Sequence, residues 1–274
     1  MSAAAQADRS VRFLELHRPG EPLLMPNAWD AGSARVLESL GFEALATTSS
    51  GFAATLGRHD YGVTRSEAID HGTALAAAVE IPVSADLENC FADDPAGVAE
   101  TIRLAVESGL AGGSVEDATR NDDEPIYEFE LAVARVAAAA AAAHAGPVPF
   151  VLTARCENFL HGRPDLGGTV VRLQAYADAG ADVLFAPGVR DAGHLRALVA
   201  AVDRPVNVLV GRGSPTVAEL ASLGVARISV GGSFAFAALG SLVEAASELR
   251  DSGTYGYAER VAMGVRAARD AFEQ

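Results

Sequence analysis

The chain has 274 residues, half of them hydrophobic and 21% charged, with a formal net charge of −15. That is enough apolar material for a buried core, and it excludes bulk disorder; the acidic balance argues against a nucleic-acid partner, which needs a basic face. Every formal cation is arginine, so a Schiff-base lysine, a pyridoxal-phosphate anchor and a Walker A loop are all excluded.

Cys90 and Cys156 are too few for a disulfide framework or a CxxC metal site. The first residues, MSAAAQADRS, hold no apolar signal-peptide core, and no apolar run approaches the roughly 20 residues of a membrane helix. The expectation is a soluble, cytoplasmic protein without a membrane partner.

Apolar runs at 23–26, 44–48, 83–85, 113–115, 150–154, 183–186, 206–210 and 227–230 read as strands. Helical periodicity fills 32–40, 65–79, 96–108, 128–144, 169–179, 192–202, 216–223 and 234–249. Gly41, Gly109, Gly146, Gly180 and Gly224 follow helices, and Asp30, Thr64 and Ser214 stand where N-caps belong. Eight βα units predict a (β/α)8 TIM barrel over about 20–250, within a single domain spanning 1–274. A C-terminal extension over about 251–274 carries one more amphipathic helix at 255–272.

Barrel active sites lie at the C-terminal strand ends. After the second run come Ser49, Ser50 and Gly51, then a long loop with His59, Asp60 and Tyr61; the third run ends in Asp86 and Glu88, the fourth in Glu116, the fifth in Arg155 and the seventh carries Asn207. Asp86 and Glu88, two apart, leave their strand on one side. Carboxylates converging from Asp60, Asp86, Glu88 and Glu116 repel one another unless a cation neutralises them, and an all-oxygen set favours Mg²⁺ or Mn²⁺ over zinc. Arg155 can fork onto a carboxylate or enolate oxygen. Ser49, Ser50 and Gly51 offer hydroxyls and backbone N–H groups to an anion. Asn207 is either a substrate contact or a hydrogen-bonded core amide. His59, His161, Tyr61 and Cys90 are the candidate proton carriers. Glycine-rich stretches at 211–214 and 231–233 occupy the usual phosphate position of a barrel, which predicts, as an alternative, an enzyme acting on a phosphorylated substrate.

Taken together, the stretches Asn27-Ala-Trp-Asp30, Thr48-Ser-Ser-Gly51, Gly57-Arg-His-Asp60, Ser84-Ala-Asp86-Leu-Glu88, Val115-Glu116-Asp117 and Thr153-Ala-Arg155 resemble the isocitrate lyase/phosphoenolpyruvate mutase superfamily, in order, over about 20–250. The resemblance implies a Mg²⁺-dependent barrel acting on an α-oxo acid or its enolate, often as an oligomer with exchanged C-terminal helices. It implies Asp86 as direct metal ligand, with Asp60, Glu88 and Glu116 around it, several through water. It also implies Ser50 and Gly51 as the carboxylate clamp and Arg155 as the enolate partner.

Two stretches depart from the family pattern. The usual Asp-x-Asp-x-Gly-Tyr-Gly is here Asp86-Leu-Glu-Asn-Cys-Phe-Ala. The loop after Glu116-Asp117 reads Ala118-Thr-Arg-Asn-Asp-Asp-Glu-Pro125, without the lyase Lys-Lys-Cys-Gly-His or the mutase lysine. The expected activity is carbon–carbon bond formation or cleavage next to an oxo acid, through a pyruvate-like enolate, by a homo-oligomer. The alternatives are phosphorus–carbon chemistry of the mutase or phosphonopyruvate type and a non-catalytic relative that binds the oxo acid.

Overall fold

The computed structural model describes residues 3–273. Nine parallel strands form one sheet: β1 (Leu23–Met25), β2 (Asn27–Ala28), β3 (Leu45–Thr47), β4 (Val83–Asp86), β5 (Gly112–Glu116), β6 (Val151–Arg155), β7 (Val183–Phe185), β8 (Val206–Leu209) and β9 (Arg227–Ser229). Their order is β1-β9-β8-β7-β6-β5-β4-β3-β2. The ninth strand arises because the first run is cut at Pro26, which has no N–H to give a ladder. Its carbonyl still accepts from the Ala46 N–H at 3.0 Å. The cut run therefore pairs with β9 through one half and with β3 through the other, and the sheet closes as the expected TIM-type barrel.

The outer ring is α2 (Ala31–Ser39), α4 (Arg65–Ala78), α5 (Pro95–Glu107), α6 (Phe129–Ala143), α7 (Leu166–Asp178), α8 (Ala192–Ala201), α9 (Val217–Ser222) and α10 (Ser233–Ser252). Asp30 and Thr64 cap α2 and α4 as expected, each in a reciprocal capping box. The cap of α9 is Thr216, not Ser214, whose hydroxyl accepts from the Gly211 N–H instead. The extension forms α11 (Ala258–Phe272), which packs on α2 of its own chain. Among the described residues no helix is long and apolar enough to cross a membrane.

Two further helices occupy segments not expected to be helical. α3 (Ser49–Thr55) fills the start of the loop after β3. α1 (Ala3–Glu15) closes the N-terminal end of the barrel. Its Phe13, fully buried, packs among Leu23, Met25, Ala44, Ala46, Val151 and Val183. Gly112 makes the room: a Cβ there would come within 2.9 Å of the Phe13 ring.

Side chains two apart along a strand share a face, and toward the C-terminal end the bore is lined by polar side chains together with Met25, Phe185 and Leu209. β4 turns in Ser84 and Asp86, β6 Arg155, β8 Asn207, and β9 Arg227 and Ser229. The opposite faces carry Val115, Leu152, Leu184, Val206, Val208 and Ile228 into the apolar layer beneath the helices. The larger apolar core thus lies between the barrel wall and the helices, a smaller one around Phe13 fills the N-terminal end of the bore, and a cavity opens at the C-terminal end.

Candidate active site

That opening is a cavity of about 190 Å³ whose lining includes Ser49, Ser50, Asp60, Asp86, Arg155, Asn207 and Arg227. The Arg155 guanidinium organises its wall. Nη1 lies 2.9 Å from Asp86, Nη2 3.1 Å from Glu116 and Nε 2.8 Å from Glu157. Adjacent pairing of β5 and β6 sets Glu116 directly beside Arg155. Burial alone would lower the arginine's pKa, but Glu157, Glu116 and Asp86 raise it, so the cation is locked. Burial holds the Glu116 carboxyl well above the usual range, against the pull of Arg155, and lifts Glu157 in the same way.

Asp86 is fixed from several sides. Its N–H donates to Thr47 Oγ1 at 2.8 Å, and its carboxylate accepts from the N–H of Ser49 at 3.2 Å and of Glu88 at 3.3 Å. Tyr61 donates its hydroxyl to Glu116 at 2.8 Å; burial, then the Glu116 charge, raise its pKa, so it stays a donor. Asp60 hydrogen-bonds the Ser49 side chain at the mouth, where desolvation and the nearby Asp86 charge raise its carboxyl. Glu88 is buried, with Oε2 on Arg120 at 2.7 Å and Oε1 without any hydrogen-bond partner. Burial, reinforced by Asp86, pushes its pKa to about 7.

The four expected acids therefore gather, but not as a cage. Among the described residues, no three Asp, Glu, His or Cys side chains stand where they alone could hold an ion. Mg²⁺ commonly takes one or two carboxylates and keeps its waters, and the donor set fits that mode. Asp86 and Asp60 face the cavity, Glu88 presents a buried oxygen with nothing to bond, and five carboxylates share only Arg120 and Arg155. A divalent cation is the ordinary remedy for such a surplus.

Other expected residues stand apart from the cavity. Gly51 does not line it: its N–H is spent on Thr48 Oγ1, and a Cβ there would meet Thr48 Cγ2 at 2.5 Å. His59 is exposed on the loop after α3, and neither it nor His161 lines the cavity. Cys90 is fully buried in the apolar layer and does not line the cavity, and burial pushes its thiol up to about 12. Asn207 does line the cavity, with its amide committed to Ser229 and Arg227. Of the glycine-rich stretches, Gly231 and Gly232 line the cavity, whereas Gly213 and Ser214 face a separate groove beside Arg190 and Arg196.

Three participants are not among the site residues expected from the sequence. Glu157 follows Arg155 by two, a spacing that sets both on one side of the chain. Arg120 sits in a loop of unfamiliar sequence, yet its guanidinium reaches Glu88 and lies 5.4 Å from the Phe91 ring centre. Arg227 was visible as a charge inside an apolar run, which was the signal that could have marked it.

The phosphoenolpyruvate phosphomutase model matches residues 13–250. The chain belongs to that family. A Burkholderia cenocepacia J2315 protein of solved structure, provisionally described as a lyase/mutase, is 54% identical with a TM-score of 0.91, covering 93% of this chain and 92% of its own. An uncharacterised Mycobacterium tuberculosis protein is 35% identical over 81% of this chain and 82% of its own length. The oxaloacetate decarboxylase of Chromohalobacter salexigens is 29% identical over 92% of this chain and 88% of its own.

Against the phosphoenolpyruvate phosphomutase family pattern, the glycine-free stretch after Asp86 keeps an unusual backbone. Glu88, Cys90 and Phe91 adopt φ of 50°, 59° and 56°. This is the left-handed region that L side chains rarely enter, at a cost on the order of 1 kcal/mol each. Cys90 holds it where the family pattern has glycine. The Cys90 N–H bonds the Leu87 carbonyl at 2.7 Å, and the Thr101 hydroxyl bonds the Cys90 carbonyl at 2.6 Å, so the turn is braced. It delivers Glu88 to the acid cluster.

Proposed function

We propose that this protein is a Mg²⁺- or Mn²⁺-dependent carbon–carbon lyase, cleaving or forming the bond next to the oxo or hydroxy carbon of a small diacid by way of a pyruvate-like enolate. The observation that carries this reading is Arg155, held in one orientation by three carboxylates with its guanidinium on a small polar cavity. Membership of a family with lyases among its relatives points the same way.

The ion would be held by Asp86, with Asp60, Glu88 and Glu116 reaching it through water, and when bound it supplies positive charge next to a developing oxyanion. The Ser49 and Ser50 hydroxyls hold the substrate carboxylate at the mouth. Arg155 meets the enolate oxygen without reorganising, because its own partners already fix it; donors set in advance are the strongest electrostatic contribution such a site can make. Glu116 and Tyr61 stand behind Arg155 and orient it. The barrel wall and the α1 plug keep bulk water from the far end of the bore.

The test is a Mg²⁺-supplemented screen of 2-hydroxy and 2-oxo diacids read by release of pyruvate or glyoxylate. Turnover that EDTA abolishes and Mg²⁺ restores, and that Asp86→Ala lacks, is the expected result. Turnover indifferent to chelation overturns it. Phosphonopyruvate in the same screen reads the phosphorus–carbon alternative. Binding of the acids without product across the panel identifies a non-catalytic relative.

We also infer a homo-oligomer. Leu239, Leu242 and Val243 are among the large apolar residues that α10 leaves exposed, alongside Phe234 and Phe236. Apolar surface so concentrated on one helix marks an interaction site.

A further inference from the structure

The bore holds a second arginine, and its surroundings are unlike those of Arg155. Arg227 opens β9 at the inner end of the cavity and is 3% exposed. Its Nε donates to Asn207 Oδ1 at 3.0 Å and its Nη2 to Thr153 Oγ1 at 3.1 Å. Nη1 lies 3.1 Å from His17 Nε2, brought in just beyond the C-terminal end of α1. All of these partners are neutral. The His17 Nδ1 faces the Phe13 carbonyl at 2.7 Å, so Nε2 is the acceptor; burial, then the Arg227 charge, hold His17 unprotonated, with its pKa down to about 3. Among the described residues no carboxylate lies within ion-pair distance of Arg227; Arg155 takes three.

Three of the five guanidinium N–H groups of Arg227 thus have partners, and its charge has none. A guanidinium does not readily shed its proton, and a buried cation without a counter-charge is costly. Burial and the repulsion of Arg155 both push its acidity in the direction a missing anion would explain. Arg227 also lines the cavity that opens at the C-terminal end of the bore. Asn207 and Thr153 hold the guanidinium plane without neutralising it, which suits a site made to receive charge.

We propose that Arg227 is the docking point for a second carboxylate, so that the substrate is a diacid with one end at Ser49 and Ser50 and the other at the floor of the bore. This rests on the reading of the cavity as an oxo-acid site and assigns the residue that holds the far end of its diacid. Arg227 is a specificity residue in this scheme, and it takes no part in the bond-breaking step.

The experiment compares equilibrium binding of malonate and propionate, which have the same carbon count and differ by one carboxylate. The full-length protein is used, with saturating Mg²⁺ at constant ionic strength, and neither probe is a 2-oxo acid. Malonate should bind at least about tenfold more tightly, the worth of one charge-assisted hydrogen bond. Arg227→Gln should lose that preference while propionate affinity stays within about twofold. Arg227→Lys, still charged but shorter, should keep only part of the preference. Equal binding of the two acids by the unaltered protein overturns the proposal. So does an unchanged preference in Arg227→Gln, or in Arg227→Lys if the glutamine variant fails to fold. A loss of both acids in equal proportion with a lowered melting temperature would show a bracing residue and overturn it too. The two readings separate cleanly. A protein that prefers malonate through Arg227 but turns over no diacid loses the reaction and keeps the site. One that turns over a diacid with unchanged KM in Arg227→Gln loses the site and keeps the reaction.

Discussion

Glu88 carries the clearest pH signature of the acid cluster. Its folded pKa of about 7 lies above the ordinary 4.5 because burial, then Asp86, disfavour its charge. The folded protein therefore binds a proton that the unfolded chain has already released between those two values. Its contribution to stability is complete below about pH 4.5 and is lost as pH rises to about 7. In EDTA, Glu88→Gln should escape that loss and gain on the parent protein across the window, by an amount on the order of 2–3 kcal/mol. Urea denaturation at stepped pH reads the difference, and a constant gap between the two proteins contradicts it. Arg155 makes the complementary case. Arg155→Met leaves Asp86, Glu116 and Glu157 facing one another with no cation, and removing one member of a buried ionic group costs about 3–5 kcal/mol. The same variant should lower kcat by about 100-fold or more on whichever diacid the screen identifies, as expected for a lost oxyanion partner. Full activity would reassign the residue to structure.

Among the elements, α1 has the most direct energetic test. Phe13 is fully buried against the strand starts, and Phe13→Ala should destabilise the fold by about 3–5 kcal/mol in urea denaturation. A loss near zero would mean that α1 merely rests on the barrel. This helix also shows where reading the sequence stopped short. The strands were legible because each apolar run began within three residues after a Pro or Gly and was bounded by a helical period. The segment 3–15 has no strand before it to announce a βα unit, and its inward face carries the polar Gln6 and Ser10 beside Phe13. α3 escaped for a related reason: its seven residues, SSGFAAT, are too short to establish a period. The acids at 86 and 116 were legible because strand ends fix their direction; the place of Glu88 depends on the left-handed turn beyond β4, and Arg120 was not legible, since a loop residue's reach depends on how the chain turns. Here the turn is set by the pairing of Ala118 with Ile126.

Assembly belongs to the whole molecule. The exposed face of α10 predicts that sedimentation finds a dimer or tetramer. Leu242→Asp with Val243→Asp should shift it toward the monomer, and an unaltered protein that sediments as a monomer removes the inference. Closure of the barrel has a temporal side as well. Leu23 pairs with Arg227, about two hundred positions later in the chain. A chain emerging from the ribosome therefore holds β1 unpaired until nearly the whole sequence has been made, at roughly 5–20 residues per second. Messages or nonsense variants that stop short of residue 227 would yield an open sheet with a bare strand at each edge. Such products are candidates for inclusion bodies rather than for shortened enzymes.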